Sequence, residues 1–154
     1  IATLFFDRFR WTRRIVGEYM LTADDVLRGA DFPDAVARGA YPLDIHDVAR
    51  NTTVMHRQVH GKSETMVVLP RSYAIPYRSL LPQRPDNLLV AGRCISATHE
   101  AISSARGQNV CMATGHAAGT AAALAARTGV PPRQLDVQTL QQMLRTQGAI
   151  LTLD

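Results

Sequence analysis

Hydrophobic and polar residues alternate along the first third of the chain, and the pattern predicts strands followed by short helices. Residues 3–11 and 14–21 have the alternating, β-rich composition of half-buried strands. A helix is predicted to begin after Thr22, because its hydroxyl can cap the first turn and Asp25 can return the bond. A second helical turn is predicted over residues 33–39, with a proline at its start and a glycine at its end.

The middle of the chain predicts short extended pieces. Residues 51–64 are polar and contain a glycine, which indicates a hairpin or a long loop, and residues 65–69 have the composition of a strand. Residues 72–78 are predicted to be extended, because Pro76 disfavours a helical residue before it. Further prolines and an Asp-Asn turn follow, so we place a boundary between two structural units near residues 78–86.

The last part of the chain has the pattern of one strand and two helices. Residues 88–92 form a continuous apolar run, as in a strand that is buried on both faces of a parallel sheet. A loop over residues 93–104 is predicted to lead into a long helix over residues 106–127, which Gly129 closes. Asp136 is predicted to cap a final amphipathic helix. The predicted fold class is therefore mixed α/β.

Two glycines lie on one face of the long predicted helix. Gly115 and Gly119 are four residues apart, and Cys111 lies one turn earlier. Glycine lacks a side chain, so another backbone or a ligand could approach closely there. Close packing is the more common reason for such a pair.

Composition narrows the classes of function. The formal net charge is +4, but the only lysine is Lys62 and the arginines are scattered, with few aromatic residues between them. Nucleic-acid sites cluster their basic residues, so nucleic-acid binding is not expected. The longest stretch of low charge, residues 109–126, is mostly alanine and glycine, too weakly hydrophobic to span a bilayer. We expect neither a membrane role nor a targeting segment.

The cysteines and histidines indicate neither a disulfide framework nor a metal site. Cys94 and Cys111 are too few for a disulfide scaffold, which favours a cytoplasmic protein, and we expect both to be buried packing thiols. His46 lies between two aspartates in an extended stretch, where the side chains would not converge, so we interpret it as a loop residue and predict no metal. His56 and His60 are expected to face water.

The unit with the most chemical content is the apolar run that ends in Gly92 and leads through a polar loop into the long helix. A helix start carries unpaired N–H groups and about half a positive charge, so it favours a phosphate or a developing anion. Such a unit also occurs as simple strand–helix packing. On the pattern alone, both interpretations stay open.

These segments carry a resemblance to a known family. The motifs Asn87-Leu-Leu-Val-Ala-Gly-Arg93, Ile95-Ser-Ala-Thr-His99 and Gly115-His-Ala-Ala-Gly-Thr-Ala-Ala-Ala123 resemble the C-terminal part of FAD-dependent oxidoreductases of the glutathione-reductase-like superfamily. The earlier motif Tyr73-Ala-Ile-Pro-Tyr-Arg78 is also similar to that family. The resemblance covers nearly the whole chain.

The resemblance implies a C-terminal fragment of a two-domain flavoprotein. Residues 1–80 would belong to a β-rich substrate domain, and residues 81–154 would supply the last parallel strand and the long helix of the FAD-binding domain. The cofactor would be FAD, and the parent protein would transfer a hydride between flavin and an unidentified organic substrate. The chain begins at Ile1 in strand-like sequence, which agrees with a piece of a larger protein or a processed product.

The resemblance also implies cofactor-binding residues. Gly92 and Arg93 would approach the ribityl chain or the pyrophosphate, and the amides of Gly107, Gln108 and Asn109 would face the flavin. Relatives often carry an acidic residue after this glycine, which accepts a bond from a ribityl hydroxyl. Arg93 cannot accept one, so we expect it to bind phosphate instead.

One family motif is missing from this sequence. The dinucleotide fingerprint G-x-G-x-x-G, which cradles the pyrophosphate, does not occur in it. We therefore expect a separate N-terminal segment of the FAD domain to be a partner of this chain, and we expect the chain alone to bind FAD weakly and to be inactive. Without that segment, residues 88–90 and the long helix would expose apolar faces, which predicts a homo-oligomer that covers them by dimerisation or domain swapping.

Each catalytic candidate also has a structural interpretation. Histidine side chains ordinarily titrate near neutrality, so His99 could act as a general base, but a solvated or structural pair with Glu100 is the more common arrangement. Arg106 opposes the dipole of the helix it begins, so it could reach an anionic substrate or a flavin oxygen, or form an ordinary salt bridge. Arg78 could hold its loop or bind substrate. The alternative to an enzyme is a non-catalytic interaction or oligomerisation domain that uses the strand–helix unit only for packing.

Overall fold

The computed structural model describes residues 14–44, 57–59, 62–64 and 66–152. The predicted strand over residues 3–11 lies outside the described residues, and so do His46, His56 and His60.

The described residues form a mixed α/β fold, which confirms the predicted class. The helices are α1 (Ala23–Leu27), α2 (His99–Ala105), α3 (Gln108–Thr128) and α4 (Val137–Thr146). The strands are β1 (Ala35–Gly39), β2 (Leu43–Asp44), β3 (Arg57–Val59), β4 (Lys62–Glu64), β5 (Met66–Val67) and β6 (Tyr73–Pro76). The strands pair antiparallel as β1–β6, β2–β5 and β3–β4. The predicted hairpin and extended segments in the middle of the chain are confirmed for these strands.

Elements with local capping signals formed as predicted. Thr22 caps α1 in a reciprocal capping box, in which its hydroxyl accepts from the Asp25 N–H at 3.2 Å and its own N–H donates to the Asp25 carboxylate at 3.0 Å. Asp136 caps α4 by accepting from two backbone N–H groups. Gly129 ends α3 with a φ of 71°, a left-handed conformation that glycine adopts without strain.

The predicted helical turn over residues 33–39 is wrong. Residues 35–39 instead form β1, whose partner β6 lies more than thirty positions along the chain. Four of its five residues are buried, because the strand is covered by other elements, including α3. Gly39 is needed at the end of this strand, since a Cβ there would lie 2.5 Å from the Tyr73 ring. Long-range pairing and burial thus override the local helix signals.

The predicted strand over residues 14–21 is also wrong. Only two isolated bridges occur there, from Gly17 to Pro82 and from Leu21 to Ala97. The segment runs between two other loops, and its N–H groups donate to carbonyls on both, such as Leu81 and Ser96. The alternating pattern reflects alternate burial against two loops rather than membership of a sheet.

Residues 88–92 do not form the predicted buried strand. Within the described residues no strand pairs with this run, and Leu88 is 43% exposed. The Val90 N–H donates to the Leu80 carbonyl, and Gly92–Cys94 closes the segment as a 3-10 turn. An apolar run becomes a strand of a sheet only where neighbouring strands supply hydrogen-bond partners, and the described residues supply none to this run.

The predicted loop and long helix are divided differently. α2 begins at His99, within the predicted loop, and Thr98 caps it by accepting from the Ala101 N–H. The helical conformation is interrupted at Arg106 and Gly107, and α3 begins at Gln108. The predicted helix is therefore confirmed from its third residue onward, and the second half of the predicted loop is helical.

One hydrophobic core joins residues from both sides of the predicted boundary at residues 78–86. Ile75 and Tyr77 precede the boundary, Leu140 and Leu144 follow it, and all four belong to this core. The buried Tyr77 hydroxyl donates to the Pro132 carbonyl at 3.0 Å and links the two sides directly. The assignment of the two sides to different domains stays a prediction.

Candidate functional site

The turn at Gly92 lies against the first turns of α3. The Gly92 N–H donates to the Thr114 hydroxyl at 3.0 Å, and Thr114 in turn donates to the Val110 carbonyl at 2.8 Å. Gly92 has a φ of 65°, and a Cβ there would lie 3.7 Å from Cys111. The structure therefore brings Gly92 and the start of α3 together, as the predicted site requires.

Among the described residues, the start of α3 has no side-chain cap. Gly107 is the residue before the helix, and glycine has no side chain that could accept a bond from the first-turn N–H groups. The Gly107 N–H donates to the Ser104 carbonyl in a long 3.4 Å bond, while Gln108 and Asn109 are exposed. A helix of 21 residues has a full macrodipole, so its uncapped first turn is a positive end that is accessible to an anion.

Arg93 lies beside this helix start. Its side chain is exposed, and its Nε donates to the Arg106 carbonyl at 3.4 Å, at the break between α2 and α3. Arg93 also interacts with the Cys111 thiol, so its guanidinium is positioned by contacts with residues on both sides of the helix start. Arg93 thus adds a positive charge to the positive end of α3.

The two cysteines differ in their surroundings. Cys94 is exposed, so the prediction of two buried thiols is wrong for this residue, because the 3-10 turn that carries it lies at the surface. Cys111 is partly buried, and its Sγ contacts the Arg106 carbonyl at 3.4 Å. Burial raises the pKa of the Cys111 thiol, and the neighbouring Arg93 offsets this only in part. The Cys111 thiol is therefore neutral at pH 7.

Arg106 forms an ion pair with Asp44, and a salt bridge was one of the two roles predicted for it. Its Nη2 lies 3.0 Å from the Asp44 carboxylate and 3.1 Å from the Asp44 carbonyl, and its Nε donates to Ser103. Both side chains of the pair are more than four-fifths buried. Burial lowers the pKa of Arg106, and the contact with Asp44 opposes that shift. The guanidinium connects the end of α2 to β2, which favours the structural role over substrate binding.

His99 and Arg106 lie at opposite ends of α2. His99 is exposed at the first position of α2, and Arg106 follows the last residue of that helix. Seven residues of helix separate their backbones by about 10 Å. The general-base role of His99 stays a prediction.

Arg78 likewise holds its own loop. It makes two contacts of 2.9 and 3.2 Å with the Asp34 carboxylate, and its guanidinium lies 5.2 Å from the centre of the Tyr19 ring. The contact with Asp34 raises the pKa of Arg78. These contacts favour the interpretation that Arg78 holds its loop, because the Asp34 carboxylate compensates its charge.

Sequence reasoning missed Thr114. This residue is fully buried in α3 and supplies the acceptor that holds Gly92. The only available signal was a hydroxyl residue inside an alanine-rich helix, which has several ordinary explanations. Its contact also changes the interpretation of Gly92, whose N–H is occupied and whose contribution is therefore close approach rather than an amide donor.

The described residues contain neither a metal-binding cluster nor a membrane-spanning helix. Within the ranges that the structure describes, no group of three or more His, Cys, Asp or Glu side chains could hold a metal ion. In the same ranges, no helix combines the length and the apolar character that crossing a membrane needs.

Comparison with known proteins identifies a family. A family model described as FAD dependent oxidoreductase matches residues 9–144, which is most of the chain. The match includes Gly92, Arg93 and the start of α3. No curated protein matches the chain, and no solved structure does.

Proposed function

The chain belongs to the family of FAD dependent oxidoreductases, and on this premise we propose that it is the C-terminal part of an enzyme that transfers a hydride between flavin and an organic substrate. FAD is the cofactor of the family, and redox chemistry with flavin is its function. The assignment of this chain to the C-terminal part rests on the motifs around Gly92 and α3 and on the missing dinucleotide fingerprint.

The observation that carries the proposal is the contact between the Gly92 turn and the uncapped start of α3. The amides of Gln108 and Asn109 are at an exposed positive helix end, and Arg93 lies beside them. This donor set fits the anionic parts of FAD, which are the phosphates and the N1/O2 edge of the reduced ring. The residues present therefore fit the flavin-proximal part of the cofactor.

Bound FAD would supply the hydride chemistry, and the residues of this chain would orient the cofactor and set its charge. The first turn of α3 would place fixed N–H dipoles where negative charge develops. Such donors stabilise the charge without reorganising, because the helix already holds them in position. Gly92 would allow close approach, and Arg93 would neutralise phosphate.

A partner segment follows from the same proposal. The adenosine half of FAD needs the fingerprint loop, so a segment that carries it would complete the site beside residues 81–154. Residues 1–80 would then form part of the substrate domain, with a small organic molecule as substrate.

The experiment measures FAD affinity in two proteins. The 154-residue chain alone is expected to bind FAD weakly, and the product of the complete reading frame is expected to be yellow with bound flavin. In that product, Arg93→Gln should weaken FAD binding about tenfold, because a charge-assisted contact to phosphate is lost. Arg127→Gln, at the opposite end of α3, serves as the matched control and should leave the dissociation constant unchanged.

Three results would contradict parts of this account. A nanomolar dissociation constant for the chain alone would overturn the assignment as an incomplete site. An Arg93→Gln protein with unchanged affinity would overturn the role of that residue. A colourless full-length product would favour the second candidate function.

The second candidate function is subunit assembly through the exposed face of α3. Gly115 and Gly119 are exposed, and nothing lies within 4 Å of a Cβ placed on either. Met112 on the same helix is 70% exposed. The close approach predicted at the two glycines is therefore not made within the described residues. A second copy of the chain would cover this face.

A further inference from the structure

A cavity of about 430 Å³ lies on a part of the molecule that the candidate flavin site does not use. It opens between the chain before β1, the residues before β6, the end of α4, and residues 151–152. Its polar lining includes Asp31, Arg38, Arg71, Ser72, Gln141 and Arg145. The volume is in the range of sites that take small organic ligands.

The side of the cavity at Arg38 is built by hydrogen bonds. The Arg38 guanidinium pairs with Asp31 at 2.6 Å, and it also donates to the Ser72 hydroxyl at 2.9 Å and to the Ser72 and Leu151 carbonyls at 3.2 Å. The Arg38 side chain is only 11% exposed. Its charge is compensated and most of its donors are used, so Arg38 fixes the shape of the cavity.

A second side is held by Gln141 on α4. This side chain is buried, and its Nε2 donates to the Pro33 and Ala35 carbonyls, both at 2.9 Å. These bonds tie α4 to the chain that enters β1. The cavity wall is therefore preformed and does not depend on a ligand to order it.

Two further arginines on the cavity lining have no acidic partner among the described residues. Within the part of the chain that the structure describes, neither Arg71 nor Arg145 forms a salt bridge, although both are exposed on the lining. Arg71 is held in place, because its Nε donates to the Arg28 carbonyl at 3.0 Å and its side chain crosses Gly29 where a Cβ would overlap it. Within the described residues, the N–H groups on its two terminal guanidinium nitrogens remain available to a ligand.

The charge balance of the lining is positive. Asp31 compensates Arg38, and Arg71 and Arg145 leave a net charge of two on a preformed concave surface. Guanidinium groups bind carboxylate and phosphate through paired N–H donors, and a fixed side chain loses little entropy on binding. We propose that this cavity is a binding site for a small organic anion that carries a carboxylate or a phosphate group.

This site is separate from the proposed flavin site. None of the cavity residues is shared with the Gly92 turn or with the start of α3. The two proposals can be told apart, because substitutions of Arg71 and Arg145 change the cavity and leave the start of α3 unchanged.

The test is calorimetric titration of the full 154-residue chain with inorganic phosphate and, in a second arm, with succinate, at constant ionic strength. At least one anion should bind saturably at a site that depends on Arg71 and Arg145. Arg71→Gln and Arg145→Gln should each weaken that binding about tenfold, because each removes one charge-assisted contact. Arg127→Gln is the matched control, an exposed arginine in the last turn of another helix, and it should bind as the unchanged protein does.

The two arms identify the chemistry of the ligand. Binding of phosphate alone indicates a phosphate ligand, binding of succinate alone indicates a carboxylate, and binding of both supports the shared anion site. Far-ultraviolet circular dichroism of each variant checks the fold, and both substituted side chains are exposed. The proposal is overturned if neither anion saturates, if Arg71→Gln and Arg145→Gln leave binding unchanged, or if Arg127→Gln weakens binding as much as the other two substitutions.

Discussion

At the scale of single residues, Asp25 shows how a buried charge is kept in this fold. Its carboxylate is almost completely buried and accepts from the Tyr19 hydroxyl at 2.8 Å and from Thr22 at 2.7 and 3.0 Å, and it pairs with Arg28 at 2.9 Å. Burial raises the pKa of Asp25, but the hydrogen bonds from Thr22, Tyr19 and Arg28 outweigh it, so the pKa is lower than its ordinary value. The pKa of Tyr19 is raised to about 12, first by burial and then by its bond to Asp25.

We expect Asp25→Asn to reduce the free energy of unfolding at pH 7 by about 2 kcal/mol, because charge-assisted bonds are lost. A depressed pKa in the folded state adds stability above the unfolded pKa of about 4, and this stability is lost as the pH falls further. The difference between the unchanged protein and the variant should therefore shrink below pH 4. Urea unfolding at several pH values measures it.

Asp24→Asn is the matched control for this prediction. Asp24 is on the same helix and contacts Arg28 at 3.4 Å, but its side chain is 75% exposed. We expect its effect to be less than about 0.5 kcal/mol. An Asp25→Asn protein with the same pH dependence as the unchanged protein would show that the carboxylate is not the titrating group.

At the scale of elements, what could be predicted depends on how far away the deciding contact lies. α1 and α4 were predicted because Thr22 and Asp136 make their capping bonds within three residues. β1 was not predicted, because its partner β6 is distant in sequence. The break at Gly107 was not predicted either, since a single glycine in a helical pattern does not by itself indicate a break.

The exposed face of α3 gives a prediction at this scale. We expect the chain to sediment as a dimer at micromolar concentration, with this face buried between two copies. Gly119→Leu should shift it to the monomer, because the added side chain prevents close approach. Sedimentation velocity measures both.

Gln142→Leu is the control for the dimer prediction, because it places a leucine at an exposed position of a different helix, α4. It should leave the dimer intact. If the unchanged chain is a monomer at this concentration, α3 does not serve assembly between copies.

At the scale of the whole molecule, the core decides which parts fold together. Residues of β6 and α4 are buried in the same cluster, although the predicted boundary at residues 78–86 separates them in sequence. The buried bond from Tyr77 to Pro132 crosses the same boundary. A shared core of this kind is expected to unfold cooperatively.

We therefore expect a single calorimetric transition, and we expect substitutions on either side to move it. Ile75→Ala and Leu140→Ala each empty a site that is 0% exposed, so each should cost about 3 kcal/mol. Gln138→Ala, at an exposed position of α4, is the control and should change little. Two transitions, each moved by only one of the variants, would contradict a shared core.

The sequence by itself determined the mixed α/β class, the capped helices and the family resemblance. It also indicated the candidate cofactor-binding residues, which are Gly92, Arg93 and Gly107 to Asn109. These depend on bonds within a few residues or on local motifs, which can be read along the chain. Only the tertiary structure decided that residues 35–39 form a strand, that Thr114 occupies the Gly92 N–H, and that Arg106 pairs with Asp44. It also brought together the arginines around the cavity beside α4. Each of these contacts joins residues more than twenty positions apart, and no local pattern specifies such a partner because packing of the whole core selects it.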